Sequence, residues 1–505
     1  MTQIDEQKKI GAFIRFLRDQ RGMTQHELAR ALNTSQSAVA RMETGRQNLS
    51  MQALASIGEV FGRKIISITD SIDFRVDGGR KLHGTVATNS SKNGALGLLA
   101  ASVLNDAKTT LHGIPRIEEV NRFIEVLLSI GFSVEWTGKN SVVITPPKRV
   151  HIAACNQDSA SKMRSSLMLI GGLIHREKAF SIPHAGGCKM GERTIAAHRF
   201  GLEEFGVRIT TTENSYRITA KKLKPADIVL YEASDTATEN LLIAAAKIPG
   251  ITRISFATSN YQVQELCFFL EMLGVTIEGV GTSTLIVHGV PKIDMPVEYH
   301  NSEDPIESMM FLSAAITTGS RLTITRCPID FLALELLKLE KMGLRYTKGL
   351  SYYSYNGKTK LVDITVFPSK LRAPSDKIHA QPYPGINVDN LPFFVPIATQ
   401  ATGTTLIHDW MWENRAIYFT ELNRLGASVT LADPHRVFIQ GPRPLKGAQV
   451  VCPPALRPAM IVLIGMLAAK GVSVLRNVYS INRGYEEVAE RLNAIGARID
   501  VIRGM

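Results

Sequence analysis

The sequence predicts an α/β protein of six repeats, helices inside and sheets outside, behind a small all-α module. Three observations carry that prediction. Six apolar–glycine pairs, Ile130-Gly131, Phe205-Gly206, Leu273-Gly274, Met342-Gly343, Leu425-Gly426 and Ile495-Gly496, recur about 70 residues apart, roughly one βαβ unit plus a hairpin. Each pair is followed by short alternating runs such as Val275-Thr276-Ile277 and Val429-Thr430-Leu431. Each unit also holds one stretch that is apolar almost all round.

Residues 1–70 stand outside the repeat. After Ile14 and Leu17, Thr24 and Glu27 make a capping box that starts a helix. Asn33 ends it, and Thr34 or Ser35 starts the next. Leu28, Leu32, Val39 and Met42 supply a shared apolar face, and Ser50 opens a further helix with Leu54, Ile57 and Phe61. Short helices joined by a tight turn make a helix-turn-helix, which lays its second helix in a DNA groove. That places Gln25 near a phosphate and Gln36, Ser37 and Arg41 at the groove. Over residues 10–62 the order and residue types resemble the DNA-binding domain of phage-repressor and Cro-like regulators. One such module reads few bases, so DNA binding implies a homodimer. A helical protein-interaction domain is the plainer reading.

Within a repeat the elements follow one order. The apolar stretches at 96–104, 167–174, 241–246, 309–316, 393–398 and 460–469 read as buried helices. They are too short to span a bilayer, and Lys, Arg or Gly interrupts them. A strand follows, as at 322–325 and 405–407, then a surface helix, as at 116–128 and 485–494. The glycine caps that helix in the left-handed conformation, and a hairpin closes the unit.

The 505 residues leave room for the module and a body of two lobes. The N-terminus is polar, with no leader or spanning segment, so the cytoplasm is expected. Five scattered cysteines without a Cys-x-x-Cys pair argue against disulfides and a zinc site, and no metal ligand set is expected. Net charge is +12, and residues 1–70 contribute ten Lys/Arg against seven Asp/Glu, so most of the excess lies in the body. A basic body suits an anionic substrate as well as nucleic acid.

Three cations open buried helices: Lys92, Arg164 and Arg457. Each opposes the helix macrodipole at a cost of about 0.3–1 kcal/mol, so a compensating phosphate or carboxylate is expected there. A solvated terminal charge is the plain alternative for any one of them. The segment Ala185-Gly186-Gly187-Cys188-Lys189-Met190-Gly191-Glu192-Arg193 reads as a mobile loop whose thiol is favoured as thiolate by Lys189 and Arg193.

From residue 74 to 503 the body resembles the UDP-N-acetylglucosamine enolpyruvyl transferase family. The resemblance rests on Asp77-Gly78-Gly79, Leu82-His83-Gly84, Lys92-Asn93, Met163-Arg164-Ser165-Ser166, Gly186-Gly187-Cys188, Gly191, Arg193, His198 and Gly201-Leu202-Glu203. It continues through Asp304-Pro305-Ile306-Glu307, Asp389, Glu413-Asn414-Arg415, Leu456-Arg457 and Arg483-Gly484-Tyr485. The family resemblance implies a two-lobed inside-out α/β barrel, with residues 92–301 as one lobe and 71–91 plus 302–505 as the other. It also implies transfer of the enolpyruvyl group of phosphoenolpyruvate to a sugar 3′-hydroxyl, with no metal or organic cofactor. In that scheme Lys92, Arg193 and Arg483 hold phosphoenolpyruvate, with Arg164 and Arg457 nearby. Cys188 acts as general acid or forms an adduct, Asp389 takes the hydroxyl proton, and Asn93, His198 and Arg415 belong to the substrate site.

The chain departs from the family at Ser90-Ser91, at Thr194-Ile195-Ala196, at Ser234-Asp235-Thr236, at Asn387-Val388 and at Ala455. The phosphoenolpyruvate side is retained and the nucleotide side is altered. The acceptor is therefore UDP-N-acetylglucosamine or another uridine nucleotide such as UMP. A further alternative is a transcription regulator that uses the body as a ligand sensor.

Overall fold

Every predicted repeat forms, and each builds one of six sheets. The computed structural model describes residues 72–186 and 194–503, residues 23–45 of the N-terminal module, and isolated positions on either side of those. It divides into two compact units, one of residues 1–72 with 502–505 and one of residues 73–501.

In the N-terminal unit Gln25–Ala31 and Gln36–Glu43 are the two helices. The Thr24–Glu27 capping box is present in both directions. Ser35, not Thr34, caps the second helix through Ala38 N–H. Asn33 takes φ 52°, the left-handed turn that ends the first helix. Ile14, Leu28, Ala29, Ala38, Val39, Met42 and Ile57 are the buried core. Ser50, Leu54 and Phe61 of the expected further helix lie outside the described residues, as do residues 66–71 of the link.

In the body the glycines of all six pairs have positive φ, from 86° to 105°. Six buried helical segments line the interior. Pro305–Thr317 is buried at all thirteen positions, and Leu456–Ala468 at all but its last. A buried Leu or Phe here stabilises by about 1.5–3 kcal/mol, and such side chains run through every unit. The second and fifth buried segments are tighter than expected: Arg164–Met168 and Leu391–Phe393 are 3₁₀ turns leading into the short helices Leu169–Leu173 and Phe394–Ala398. At Gly171 a Cβ would stand 2.4 Å from the Asn240 carbonyl oxygen, so glycine alone permits the contact with Asp235–Ala246.

Two surface helices also differ from expectation. The run Ala416–Leu425 is 3₁₀. The expected helix over 485–494 forms only as Val488–Ala494, because Glu487 takes φ 48° just before it, and a separate short helix, Tyr479–Asn482, precedes it.

Two strands lie in the opposite lobe from the helices they lead to. Thr85–Ala87 pairs in parallel with Leu322–Pro328, although the next helix, Lys92–Ala101, belongs to the other three sheets. Val297–His300 pairs in parallel with Thr109–His112 before the chain enters Pro305–Thr317. The chain thus crosses twice between two groups of three sheets. Ile72–Gly78 completes the sixth sheet beside Gly471–Arg476 and Ile499–Arg503.

Candidate active site

The helix starts meet at one cleft of about 670 Å³. Lys92 is the first residue of Lys92–Ala101, Arg164 opens its 3₁₀ turn, and Arg457 is the second residue of Leu456–Ala468. All three line the cleft with Asn93, Asp389, Arg415 and Arg483. Residues from widely separated stretches are brought together because the starts of Lys92–Ala101, Arg164–Met168 and Leu456–Ala468 lie on the cleft, where free N–H groups and the helix dipole favour an anion.

The cations are held by acids. Lys92 Nζ lies 2.9 Å from Glu119 Oε2. Burial opposes ionisation of Glu119, but Lys92, Arg483 and Arg457 together hold its carboxyl below the ordinary range. Arg457 is 6 % exposed; its Nη2 donates to Asp389 at 3.0 Å and its Nη1 to the Tyr485 hydroxyl at 2.7 Å. Burial disfavours its charge, yet Tyr485, Asp389 and Asp304 outweigh that and keep the guanidinium protonated. Asp389 is likewise opposed by burial but held low by Arg457 and Arg415. It is therefore a carboxylate at neutral pH.

Arg415 is fixed from behind. It is 1 % exposed and makes a two-pronged pair with the fully buried Asp409, at 2.5 and 2.8 Å. Its Nη2 also donates to the Val388 carbonyl at 2.7 Å. Its Nη1 lies 3.8 Å from Asp389 and makes no hydrogen bond among the described residues. Asn93 donates to the Tyr261 hydroxyl at 2.9 Å. Arg164 Nη2 donates to the Thr194 carbonyl at 2.8 Å.

One expected substrate contact is corrected. His198 is 2 % exposed and does not line the cleft. Its Nδ1 pairs with Asn240 Nδ2 at 3.1 Å and its Nε2 with Thr236 Oγ1 at 3.3 Å. Burial, with Arg164 nearby, pushes its pKa down to about 3, so the ring is neutral. It braces the start of Asp235–Ala246, whose Thr236 reaches the cleft. Cys188 and Arg193 lie outside the described residues. Thr194, just after that segment, lines the cleft.

The cleft also carries acids beyond those paired with the cation cluster. Glu232, Asp235 and Glu413 line it, next in sequence to Ala233, Thr236 and Trp412. Burial raises the Asp235 carboxyl and Asp389 adds to the rise, while Asn260 Nδ2 donates to it at 2.8 Å. Glu119 and Asp409 were not legible in the sequence as site residues. Glu119 reads there as an ordinary acid in a helix first turn, and only the fold sets it against Lys92.

The sequence is similar to known proteins along nearly all of this body. The family described as EPSP synthase (3-phosphoshikimate 1-carboxyvinyltransferase) matches residues 76–492, and a helix-turn-helix domain family matches residues 9–64. A UDP-N-acetylglucosamine 1-carboxyvinyltransferase of Bradyrhizobium diazoefficiens is 34 % identical over 430 residues, covering 85 % of this chain and 97 % of its own. The enzyme of the same name from Treponema denticola is 36 % identical, over 85 % of this chain and 99 % of its own. Among solved structures, the enolpyruvyl transferase NikO from Streptomyces tendae superposes with a TM-score of 0.72 at 24 % identity, over 86 % of this chain and all of its own. An EPSP synthase from Acinetobacter baumannii superposes with 0.68 at 18 % identity, over 86 % of this chain and all of its own. A body matched from residue 76 to 492, around a third identical to carboxyvinyltransferases along almost their whole length, belongs to the EPSP synthase family of enolpyruvyl transferases, here preceded by a helix-turn-helix domain.

Proposed function

We propose that the body transfers the enolpyruvyl group of phosphoenolpyruvate to the 3′-hydroxyl of UDP-N-acetylglucosamine, releasing phosphate. The observation that carries this is the convergence of Lys92, Arg457 and Arg483 on one cleft beside an ionised Asp389. Clustered, desolvated cations hold the phosphate and carboxylate and stabilise charge that develops in the transition state. Asp389 accepts the hydroxyl proton as the oxygen bonds to C2, and Cys188 delivers a proton to C3. Loss of a C3 proton with cleavage of the C2–O bond then expels phosphate. Arg193 joins the phosphate contacts, Arg164 stands beside them, and Asn93 and Arg415 orient the acceptor. The lobes, 92–301 and 71–91 with 302–505, close over the substrates and exclude water. No metal or organic cofactor takes part, and the reaction belongs in the cytoplasm.

Lys92→Ala and Arg483→Ala each lower turnover on the order of 10²-fold or more, because each removes a desolvated contact to the anion. Phosphate release, followed with circular dichroism as a check on folding, measures it. Unchanged turnover in folded variants places the phosphoenolpyruvate site elsewhere.

One observation favours a second acceptor. Asp235, in the altered Ser234-Asp235-Thr236 stretch, lines the cleft with Glu232 close by in sequence, and carboxylates repel a diphosphate. A smaller uridine nucleotide such as UMP brings less charge there. A competition assay between UDP-N-acetylglucosamine and UMP separates the two acceptors.

The N-terminal domain binds DNA as a homodimer in this reading. Gln36, Ser37 and Arg41 are exposed on the second helix. Gln36 Nε2 donates to Gln25 Oε1 at 2.7 Å, and Gln25 Nε2 to Glu43 Oε2 at 2.8 Å, which ties the two helices' polar ends together. Replacing Gln36 and Arg41 by Ala abolishes specific binding, each base contact being worth roughly 1–3 kcal/mol. Enolpyruvyl transfer stays intact. Selection from a random duplex pool at fixed salt tests this, and recovery of no enriched sequence removes the DNA-binding half of the reading.

A further inference from the structure

We propose that His112, Glu298 and His300 form a binding site for one divalent transition metal of the zinc class. None of the three lines the catalytic cleft. His112 ends the strand Thr109–His112, and His300 ends the parallel neighbour Val297–His300, directly opposite it in register. Glu298 lies two residues before His300 and so faces the same side of the sheet. One donor atom from each residue lies within 4.8 Å of the other two.

The first coordination position is already oriented. Ser141, opposite His112 on the next strand, pairs its hydroxyl with His112 Nδ1 at 2.8 Å. That leaves Nε2 directed at Glu298 Oε1, 2.7 Å away. A hydrogen-bonded second nitrogen is the usual support of a metal-ligating imidazole. The His300 ring makes no hydrogen bond among the described residues; it stacks on His112 at 4.4 Å and meets Tyr355 at 5.5 Å.

Two imidazoles and one carboxylate, with a fourth position open to water, are a ligand set for zinc and its neighbours. Calcium and magnesium ask for oxygen ligands throughout. Metal bonds of about 2.0–2.2 Å bring tetrahedral donors to roughly 3.4 Å apart. A modest rotation of the half-buried rings closes the remaining gap. The cation takes the place of the proton shared by His112 and Glu298, and that proton leaves to solvent. The pair His288–Glu278, at 2.7 Å, is the same kind of contact without a third donor among the described residues and serves as an internal control.

The test titrates chelator-stripped, full-length protein with Zn²⁺ by calorimetry and with Co²⁺ by visible absorption. The expected result is one saturable equivalent whose affinity falls at least about 10-fold in His300→Ala and in Glu298→Gln, and does not move in His288→Ala. Tetrahedral cobalt bands weaken in the same two variants. Glu298 is a solvent-facing side chain, so Glu298→Gln decides the matter if His300→Ala fails to fold. Absence of saturable binding, or binding unmoved by either substitution, overturns the proposal.

Discussion

Asp389→Asn should give a folded protein whose turnover has fallen by about 10²–10⁴-fold, the range expected when a positioned base is lost. The amide keeps the shape of the side chain and its place against Arg457, which today bonds the carboxylate at 3.0 Å. It removes the negative charge that neutralises Arg457 and Arg415. The two guanidiniums are then freer to hold an anion, so KM for phosphoenolpyruvate should not rise while kcat collapses. Steady-state kinetics with phosphoenolpyruvate varied separates these. A raised KM with unchanged kcat would make Asp389 a structural counter-ion only. The pH profile adds a check. Arg457 and Arg415 hold the Asp389 carboxyl below the ordinary aspartate value. It stays ionised above that range, so an acid limb of kcat/KM lying between pH 5 and 8 should not belong to it. The same shift has a sign for stability. A carboxyl with a lowered folded pKa stabilises the fold above its unfolded pKa, and this is lost as pH falls through the folded value. Glu119 contributes in the same direction.

Arg415→Ala should destabilise the body by about 3–5 kcal/mol, the cost of stranding a buried charge. Asp409 has no exposed surface, and Arg415 supplies two of its short contacts. Truncation leaves that carboxylate without its partner in a site that also holds Asp389. Asp409→Asn in the same chain should recover part of the loss, because it removes the stranded charge. Urea unfolding of the single and double variants measures both. A single variant as stable as the wild type would mean that water reaches Asp409 readily and that the pair contributes little. Turnover is expected to fall as well, since Val388 and Asp389 are positioned through the same guanidinium.

The fold was legible where the chain repeats itself. The six glycines mark helix ends, and every one has the left-handed backbone that the pattern requires. The buried helices were legible because a segment apolar on all sides has nowhere to go but inside. Helix type and length were not. Prolines at 392 and 396, and the glycine at 171 pressed on Asn240, tighten or shorten segments that hydropathy alone would extend. The break at Glu487 has no sequence signal, since glutamate rarely adopts a positive φ. In the cleft, Lys92, Arg164 and Arg457 could be read because each opens a helix against its dipole, whereas Arg415 and Arg483 were legible only through the family resemblance. Their partners could not be read. Glu119 and Asp409 reach Lys92 and Arg415 only through the tertiary fold, and His198 reads like a ligand-binding histidine until its burial behind Thr236 is seen. The pairing of His112 with His300 is likewise invisible until two distant strands are set in register.

The most direct test of enolpyruvyl transfer is phosphate release from phosphoenolpyruvate. Purified full-length protein is incubated with phosphoenolpyruvate and, separately, UDP-N-acetylglucosamine, other UDP-sugars and UMP, with the acceptor weighed by mass spectrometry afterwards. The account predicts stoichiometric phosphate and an acceptor heavier by one enolpyruvyl group for one of these nucleotides, both formed about 10²–10⁴-fold more slowly by Asp389→Asn. Phosphate release without acceptor modification, or no reaction with any uridine nucleotide, would contradict it.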